Sequence, residues 1–311
     1  MLTFSPSYGL MFMLHDFGYR GASSHESAEI GGAAHLVNFN GTDTLPAIQC
    51  VEKWYGGFGE NFGYPMSVPA TEHSIMTSLG AGGEREIVDR LLVEYPTGIL
   101  SIVADSYNIY EFVDYIGHRK DEVLARDGVL VIRPDSISET HRTPAALVLW
   151  ILEKLWHDFG GSETPTGYKT LDPHVRVLWG DGLEPETIEE ILDAMYKGGW
   201  AAINIATFGM GGGLLQKVNR DTQRFAFKSS AQKRNGEWHD VYKQPLDTSK
   251  TSKKGRLRLV RDTTGAYITE REDDLVHDHI ADHILEPVFE NGELLRQQSF
   301  EEIRKNATYS L

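Results

Sequence analysis

Apolar, β-branched runs recur along the chain, and each of them ends in a polar or glycine-rich cluster. Five such runs stand out: AHLVNFNGTD (34–43), GILSIVADS (98–106), GVLVIRPDS (128–136), VRVLWGDG (175–182) and AAINIATFGMGGG (201–213). Each run predicts a β-strand. Because the runs are continuously apolar rather than alternating, we expect strands that are covered on both faces of their sheet.

Amphipathic stretches follow several of these runs and predict helices. In PETIEEILDAMYKGG, Pro185 suits the first helical turn and Gly198 suits the end of the helix. The apolar residues between them recur at helical spacing: Ile188, Ile191, Leu192 and Met195. This spacing places them on one face of the helix. Strands that alternate with helices indicate a mostly parallel sheet, so we predict an α/β protein.

The polar clusters stand at the C-terminal ends of at least five predicted strands. In a closed βα-barrel these ends converge on one face, and several of them supply functional groups. An open doubly wound sheet would use only one or two strand ends. We therefore predict an irregular βα-barrel over residues 13–225, after a short N-terminal lead at 1–12. Short strand-like runs such as GRLRLVR and GAYITE predict part of a smaller α+β domain over 226–311.

Composition and charge narrow the class of partner. The 311 residues carry a formal net charge of −15, which argues against a nucleic acid or an anionic membrane as partner. Residues 226–261 nevertheless hold ten Lys or Arg against three acids, which fits either a solvated basic face or a local site for a small anion. The single cysteine, Cys50, suits a reducing compartment, and we expect a cytoplasmic location.

Three strand-end clusters could bind a phosphorylated sugar. FGMGGGLLQK (208–217) places four glycines where free backbone N–H groups can hold a phosphate, although a tight turn would use the same residues. Arg133 and Asp135 stand two residues apart and point to one side of the strand end, where they could bind an anion and a sugar or pair with each other. Asp181 lies between two glycines, which fits hydroxyl binding or an ordinary turn.

Further clusters could bind a flat ring. HDFGYRG (15–21) offers the aromatic ring of Phe17, which could stack on a heterocycle or belong to the core, and the cation Arg20. Asp43 could accept a hydrogen bond from an amide. His73 could be a general base, a phosphate carrier or a core histidine. The sequence contains no GxSxG motif, and no covalent nucleophile is implied.

Taken in order, these segments resemble one known family. HDFGYRG, AHLVNFNGTDT, SVPATEHS, ADSYNIY, VIRPDS, GDG, FGMGGGLLQK, RD, FK and SKKGRL follow one another as they do in the nicotinamide phosphoribosyltransferases. The resemblance runs from about residue 13 to the C-terminus. It implies a type II phosphoribosyltransferase-like barrel. It also implies transfer of a phosphoribosyl group from phosphoribosyl pyrophosphate to nicotinamide, which yields nicotinamide mononucleotide and pyrophosphate in NAD salvage.

The resemblance implies a role for each matching residue. Phe17 would stack on the pyridine ring with Arg20 beside it, and Asp43 would accept from the carboxamide while repelling nicotinate. The sugar and its phosphates would be held by a larger set: Asp105, Arg133, Asp135 and Asp181 around the ribose, Gly180, Gly211 and Gly212 at the 5′-phosphate, and Arg220, Lys228, Lys243 and Lys250 at phosphate or pyrophosphate. The catalytic groups would be Asp43, His73, Arg133 and Asp135, with His73 phosphorylated when ATP hydrolysis is coupled to the reaction.

The resemblance also implies cofactors and partners. Mg²⁺ would accompany the pyrophosphate, ATP would serve as a coupling substrate, and a homodimer would share its active sites. Met210 and Ala226 replace serines of the family pattern. Family members carry roughly a further third of their chain before HDFGYRG, so a separate N-terminal polypeptide could be a partner. We therefore expect the isolated chain to expose apolar surface, to associate and to have little or no activity.

Three other functions remain open at this stage. A related enzyme could act on nicotinate, although Asp43 argues against an anionic ring substituent. A non-catalytic subunit could bind nucleotide or pair with a separate N-terminal polypeptide. An unrelated phosphate-binding barrel enzyme would share the glycine-rich loop and would not bind nicotinamide mononucleotide.

Overall fold

The fold is that of a computed structural model, which describes residues 7–60, 63–215, 217–222, 226–272 and 283–307. The chain divides into two compact units. The first consists of Met1–Val218 together with Gln298–Leu311, and the second of Asn219–Gln297. The predicted domain bounds at residue 225 stay a prediction, since these units are defined by contacts alone.

Parallel strands form the centre of the first unit. Its described residues contain eight strands: β1 (Leu14–Asp16), β2 (Gly41–Thr42), β3 (Thr97–Val103), β4 (Asp127–Arg133), β5 (Gly161–Glu163), β6 (Lys169–Leu171), β7 (Val175–Trp179) and β8 (Ile205–Met210). Six of them form one parallel sheet in the order β2-β1-β8-β7-β4-β3. The short strands β5 and β6 pair with each other in the antiparallel sense.

An irregular segment, residues 66–71, joins the two edges of this sheet. Met66 forms a parallel bridge to Gly41 in β2, and Ala70 forms one to Ser101 in β3. Backbone hydrogen bonds of 2.8 to 3.0 Å flank both bridges. Because both edge strands find partners in this segment, the six strands and the segment form an irregular barrel. The predicted α/β-barrel class is confirmed.

Helices pack around the barrel strands. The described part of the first unit contains α1 (His25–His35), α2 (Leu45–Tyr55), α3 (His73–Met76), α4 (Glu84–Glu94), α5 (Ile109–His118), α6 (Lys120–Leu124), α7 (Pro144–Phe159), α8 (Pro185–Lys197), α9 (Gly212–Leu215) and α10 (Phe300–Ala307). Helix α8 begins at Pro185 and ends before Gly198, as predicted, and buries Ile191 and Met195. None of the helices in the described residues has the length and apolar character needed to cross a membrane.

The strand predicted over residues 34–43 is wrong for most of its length. Ala34 and His35 are the last residues of α1, and the strand that follows consists of Gly41 and Thr42 alone. The run is apolar because the turn after α1 is buried: Leu36 is completely inaccessible to solvent. His35 Nε2 donates to Gly41 O over 2.8 Å, so the turn is held by a tertiary hydrogen bond that the pattern does not reveal.

A small apolar cluster attaches the C-terminal helix to the first unit. The ring of Phe300 lies edge-on to Phe58, with centroids 5.5 Å apart at 82°. Arg304 in the same helix donates to Asn40 Oδ1 over 2.6 Å. The main core lies elsewhere, between the sheet and helices α4, α5, α7 and α8. Helix α10 therefore belongs with the barrel, although about 80 residues of the second unit separate it from the rest in sequence.

The strands in the described residues of the second unit form two-stranded antiparallel pairs. Its described strands are β9 (Ala231–Arg234), β10 (Glu237–Asp240), β11 (Leu257–Arg261), β12 (Tyr267–Arg271), β13 (Phe289–Glu290) and β14 (Glu293–Leu294). They pair as β9–β10, β11–β12 and β13–β14, and the strands predicted in GRLRLVR and GAYITE are confirmed. Among the described hydrophobic residues of this unit, Val260 is buried, whereas Phe227 and Leu246 are fully exposed.

Candidate active site

A cavity of about 590 Å³ lies at the C-terminal ends of the barrel strands. Its lining comes from the end of β1 (Phe17, Tyr19, Arg20, Gly21), from β2 (Asp43), β4 (Arg133, Asp135), β7 (Gly180, Asp181, Gly182, Leu183) and β8 (Gly211, Gly212, Gly213, Lys217), and from Glu72 after the closing segment. Parallel strands bring these ends together at one face of a barrel. The predicted clusters at residues 17–20, 43, 133–135, 180–181 and 211–212 therefore meet in one place.

The turn after β1 positions Phe17. The Phe17 N–H donates to Met210 O over 2.9 Å, which ties the turn to the end of β8. The Gly18 N–H donates to Asp16 Oδ1 over 2.8 Å, and Asp16 is completely buried. These two hydrogen bonds fix the backbone on both sides of the half-buried Phe17 ring. Arg20, three residues after Phe17, is exposed on the cavity wall.

Two glycines of the FGMGGG loop are required by packing inside the chain. A Cβ atom on Gly209 would lie 2.0 Å from Cε2 of Phe17, so a side chain there would occupy the space of the ring. A Cβ atom on Gly213 would lie 2.8 Å from Leu183 O and 2.9 Å from Met210 Cε. These two glycines therefore serve the protein's own packing, whatever the loop binds.

The other two glycines of the loop face open space. A Cβ atom on Gly212 would meet no atom within 4 Å, and one on Gly211 would meet only Phe17 O, at 3.8 Å. Met210, which departs from the family pattern, is buried in the main core, so its side chain is directed away from this space. The cavity wall at Gly211 and Gly212 is thus bare backbone, to which an anion could approach closely.

Arg133 brings a nearly buried cation to the cavity. It is 5% exposed, and its Nη2 lies 3.5 Å from Glu72 Oε2. Its guanidinium carbon lies 6.0 Å from the centre of the Phe17 ring. Within the described residues its Nε has no hydrogen-bond partner. Arg133 pairs with Glu72 rather than with Asp135, so the internal ion pair considered from the sequence is not formed.

Asp135 lies among charged groups of both signs. Burial raises the pKa of its carboxyl group, and the carboxylates of Asp105 and Asp181 reinforce this shift, whereas Arg133 and His73 oppose it. Its side chain is 25% exposed, so it remains accessible from the cavity. A carboxylate that has lost part of its hydration by burial interacts strongly with any cation or developing positive charge that enters the cavity.

His73 lies between two carboxylates. Its Nε2 donates to Asp105 Oδ1 over 3.1 Å, and its Nδ1 lies 4.0 Å from Asp135 Oδ2. Ser136 donates to the second oxygen of Asp105, which holds that carboxylate in place. His73 is the first residue of α3 and is partly exposed, so it is not a core histidine. Neither Asp105 nor His73 lines the cavity; Asp105 orients His73, which lies beside the cavity residue Asp135.

Asp43 accepts two hydrogen bonds on one oxygen. His15 Nε2 donates to Oδ1 over 3.0 Å, and Ser67 Oγ donates to the same atom over 2.5 Å. Partial burial acts to raise the pKa of Asp43, but these hydrogen bonds and the charge of Arg133 outweigh it, and the pKa lies below its ordinary value. Asp43 is therefore a carboxylate at neutral pH.

The turn after β7 is held by a buried tryptophan. Trp179 Nε1 donates to Asp181 O over 2.7 Å, and Gly182 adopts a left-handed φ of 58°. A Cβ atom on Gly180 would make ordinary contacts with Asp135 Oδ1 and Phe17 Cε2, at 3.5 and 3.6 Å. The glycines of GDG thus form this turn and leave the Asp181 side chain exposed at the cavity.

Four of the predicted phosphate ligands belong to the second unit. Arg220 Nε pairs with Asp221 over 3.0 Å, and Lys250 pairs with Asp247 over 3.3 Å. Lys228 and Lys243 are exposed. Their assignment to phosphate or pyrophosphate stays a prediction.

Several residues at or behind the cavity were not singled out from the sequence. Glu72 pairs with Arg133, Ser67 donates to Asp43, and Lys217 lines the cavity while pairing with Glu184. Glu72 and Ser67 flank or belong to the closing segment, which has no regular strand pattern. His15 lies in the quoted HDFGYRG motif, but only the register of β1 beside β2 places its ring next to Asp43.

Comparisons with known proteins agree with this geometry. Residues 12–293 match the nicotinate phosphoribosyltransferase (NAPRTase) family. The chain is 44% identical over 309 residues to a nicotinamide phosphoribosyltransferase of Xanthomonas campestris pv. campestris (strain 8004), covering 97% of this chain and 64% of that protein. It is 33% identical over 317 residues to a nicotinamide phosphoribosyltransferase of Acinetobacter baylyi (strain ATCC 33305 / BD413 / ADP1), covering 96% of this chain and 61% of that protein. The chain thus spans less than two thirds of the length of these relatives.

A solved structure shares the fold. The crystal structure of nicotinate-nucleotide pyrophosphorylase from Pyrococcus furiosus superimposes with a TM-score of 0.54 at 15% sequence identity, covering 96% of this chain and 65% of that one. At this identity the similarity concerns the barrel architecture alone.

Proposed function

The chain belongs to the nicotinate phosphoribosyltransferase family, and from that premise we propose that it transfers a phosphoribosyl group from phosphoribosyl pyrophosphate to nicotinamide. The products would be nicotinamide mononucleotide and pyrophosphate. One observation carries the choice of nicotinamide: the ionised Asp43 and the aromatic ring of Phe17 line the same cavity and share His15 as a neighbour.

The ring-binding part of the cavity suits a neutral carboxamide. Phe17 offers a face to the pyridine ring, and aromatic stacking of this kind contributes roughly 0.5–1.5 kcal/mol. Asp43 can accept from the amide N–H₂ group, which nicotinate lacks. Because the pKa of Asp43 is lowered, the carboxylate of nicotinate would meet a second negative charge there. The site would therefore select nicotinamide over nicotinate.

The remaining walls suit the sugar and its phosphates. Arg133 supplies a nearly desolvated cation whose Nε has no hydrogen-bond partner in the described part of the chain, and Gly211 and Gly212 supply accessible backbone. Asp135 and Asp181 supply carboxylates that can accept from ribose hydroxyl groups. The cavity volume of about 590 Å³ fits a nucleotide-sized ligand.

In the proposed reaction, the pyridine nitrogen lone pair forms a bond to the anomeric carbon of the ribose. The bond between that carbon and the pyrophosphate oxygen breaks, and its electron pair leaves with pyrophosphate. Positive charge develops on the sugar, as in glycoside hydrolysis. Asp135, already destabilised as an anion, is suited to stabilise this charge, while Phe17 and Asp43 hold the attacking ring in line.

Mg²⁺ and ATP enter the proposal with the substrates. In the described residues no group of three or more His, Cys, Asp or Glu side chains is placed to hold a metal ion. Mg²⁺ commonly binds through substrate phosphates and one or two carboxylates. Asp105 and Asp135, the two carboxylates beside His73, would be the candidates for that role. We propose that Mg²⁺ would arrive bound to the pyrophosphate groups of the substrate, where its charge would offset that of the leaving group. His73 would accept the terminal phosphoryl group of ATP through a ring nitrogen, and ADP would leave with the bridging oxygen. A homodimer with shared sites, a partner N-terminal polypeptide and a cytoplasmic location stay predictions.

The test is direct detection of product. The 311-residue chain is incubated with nicotinamide, phosphoribosyl pyrophosphate and Mg²⁺, with and without ATP, and with and without the N-terminal third of the Xanthomonas relative added in trans. Nicotinamide mononucleotide is measured by mass spectrometry, and nicotinate is offered in parallel. We expect nicotinamide mononucleotide as the product and a relaxed preference in Asp43→Asn. The absence of any mononucleotide, or a preference for nicotinate, would refute the proposal.

A further inference from the structure

We propose that His15 and Ser67 are positioning residues that set the choice between nicotinamide and nicotinate by holding one oxygen of Asp43. The inference rests on the proposed function and deepens it. Both donors bind the same atom, Oδ1, at 3.0 and 2.5 Å. Among the described residues, Oδ2 accepts no hydrogen bond, so it is the oxygen left for a ligand amide.

The two donors come from different parts of the barrel. His15 lies in β1, whose backbone is in register with Gly41 in β2. Ser67 lies in the segment 66–71, which closes the barrel on the other side of Asp43. An aspartate at the end of a two-residue strand is free to rotate about its side-chain torsions. Donors on two sides restrict that rotation, which lowers the entropy lost when a ligand binds.

His15 itself is held in one orientation. It is 8% exposed, its ring centroid lies 4.9 Å from that of Phe17, and Gly41 packs against its other side. A Cβ atom on Gly41 would lie 2.7 Å from His15 Nδ1, so glycine at this position makes room for the ring. Because Nε2 points to a carboxylate oxygen, it must carry a proton, which defines the donor role of His15.

The orientation of the Asp43 carboxylate determines specificity, because it can discriminate against nicotinate only if it stays directed at the amide position of the ligand. If Asp43 rotated, its charge would move from the amide position and nicotinate would meet less repulsion. Loss of one donor should therefore weaken nicotinamide binding and, at the same time, weaken the discrimination against nicotinate. A residue with a merely structural role would weaken both ligands equally.

Ser67 provides the sharper test, since its side chain is exposed and its hydroxyl donates to Asp43. In Ser67→Ala we expect the Kd for nicotinamide to rise about tenfold, equivalent to about 1.4 kcal/mol, with no such rise for nicotinate. Ser67→Thr keeps the hydroxyl and should remain within about twofold of the wild type. Ser78→Ala is the matched control, because its hydroxyl donates to Ile75 O at the end of α3.

A second pair of variants tests His15. His15→Gln retains a side-chain N–H near the position of Nε2 and should preserve the ratio of the nicotinamide Kd to the nicotinate Kd, whereas His15→Leu should raise that ratio. Binding is measured by calorimetry on the full chain, so the readout does not require turnover. Failure to form product while the wild type binds nicotinamide would refute the proposed function alone. Equal ratios in wild type and Ser67→Ala would refute the positioning role alone, and absence of nicotinamide binding by the wild type would refute both.

Discussion

Substitution of single glycines in the FGMGGG loop should separate the packing role of the loop from its ligand role. Gly209→Ala places a methyl group 2.0 Å from Cε2 and 2.4 Å from Cδ2 of Phe17. Gly212→Ala places the same group where no atom lies within 4 Å. Neither glycine has a left-handed φ, so the added methyl group, and not backbone strain, is the perturbation in both variants.

The magnitudes follow from these distances. To reach an ordinary contact of 3.4 Å with the new methyl group, the Phe17 ring must retreat by about 1.4 Å. Overpacking of this kind destabilises a fold by about 1–3 kcal/mol, which lowers the Tm of a unit of this size by about 2–12 °C. A displacement of about 1 Å at a substrate-positioning group can lower kcat/KM by about a hundredfold.

Gly212→Ala should behave in the opposite way. Alanine in a short helical turn is at least as stable as glycine, so the Tm should not fall. The methyl group would occupy the open space proposed for a phosphate, and the KM for phosphoribosyl pyrophosphate should rise at least tenfold while the Kd for nicotinamide stays constant.

The assay combines differential scanning calorimetry without ligand, calorimetric titration with nicotinamide and, for both variants, kinetics in phosphoribosyl pyrophosphate with the N-terminal third of the Xanthomonas relative supplied in trans. We expect a lower Tm and weaker nicotinamide binding in Gly209→Ala alone. The reasoning fails if Gly209→Ala retains the wild-type Tm and affinity, or if Gly212→Ala leaves the KM for phosphoribosyl pyrophosphate unchanged.

Three further substitutions test other parts of the structure. Because the pKa of Asp135 is raised in the folded chain, its ionisation destabilises the fold, and Asp135→Asn should raise the Tm at pH 7 while abolishing product formation. The gain in Tm should vanish as the pH falls below about 3.9, where the carboxyl group is protonated in the unfolded chain as well, and a lower Tm at pH 7 would contradict this reasoning. Phe300→Ala should lower the free energy of unfolding by about 3–5 kcal/mol in urea titrations, with nicotinamide binding retained, because its ring packs on Phe58; a loss below about 1 kcal/mol would show that α10 docks weakly. Trp179→Phe removes the hydrogen bond to Asp181 O and should raise the KM for phosphoribosyl pyrophosphate severalfold at constant nicotinamide Kd, whereas equal changes in both would indicate general damage to the fold.

Most barrel strands were predictable because their signal is local. The runs that became β3, β4, β7 and β8 are continuously apolar and end at polar residues within a few positions of the observed bounds. The run over residues 34–43 misled because burial of Leu36 in a turn gives the same apolar signature as burial in a strand. Segment 66–71 showed no strand pattern, because it contributes isolated bridges rather than a continuous ladder.

Prediction of the site followed the same division. Arg133, Asp135 and Asp181 could be singled out because polar residues at the ends of predicted strands are recognisable in the chain. Phe17 could be singled out because the HDFGYRG motif combines aromatic rings with a cation, although no strand was predicted before it. The partners of these residues could not. Glu72 pairs with Arg133 although it lies 61 positions earlier in the chain, and nothing in the local sequence indicates that the two side chains are in contact.

By itself, the sequence determined the α/β alternation, the polar strand ends and the family, because each of these depends on residues close together in the chain or on motif order. Only the tertiary structure decided which glycines of FGMGGG make room for Phe17 and which face the cavity. It also decided that Asp43 is held by His15 and Ser67, and that Arg133 pairs with Glu72 instead of Asp135. These contacts depend on strand register and barrel closure, which bring together residues that are distant in sequence, and their free energies have no counterpart in any local pattern.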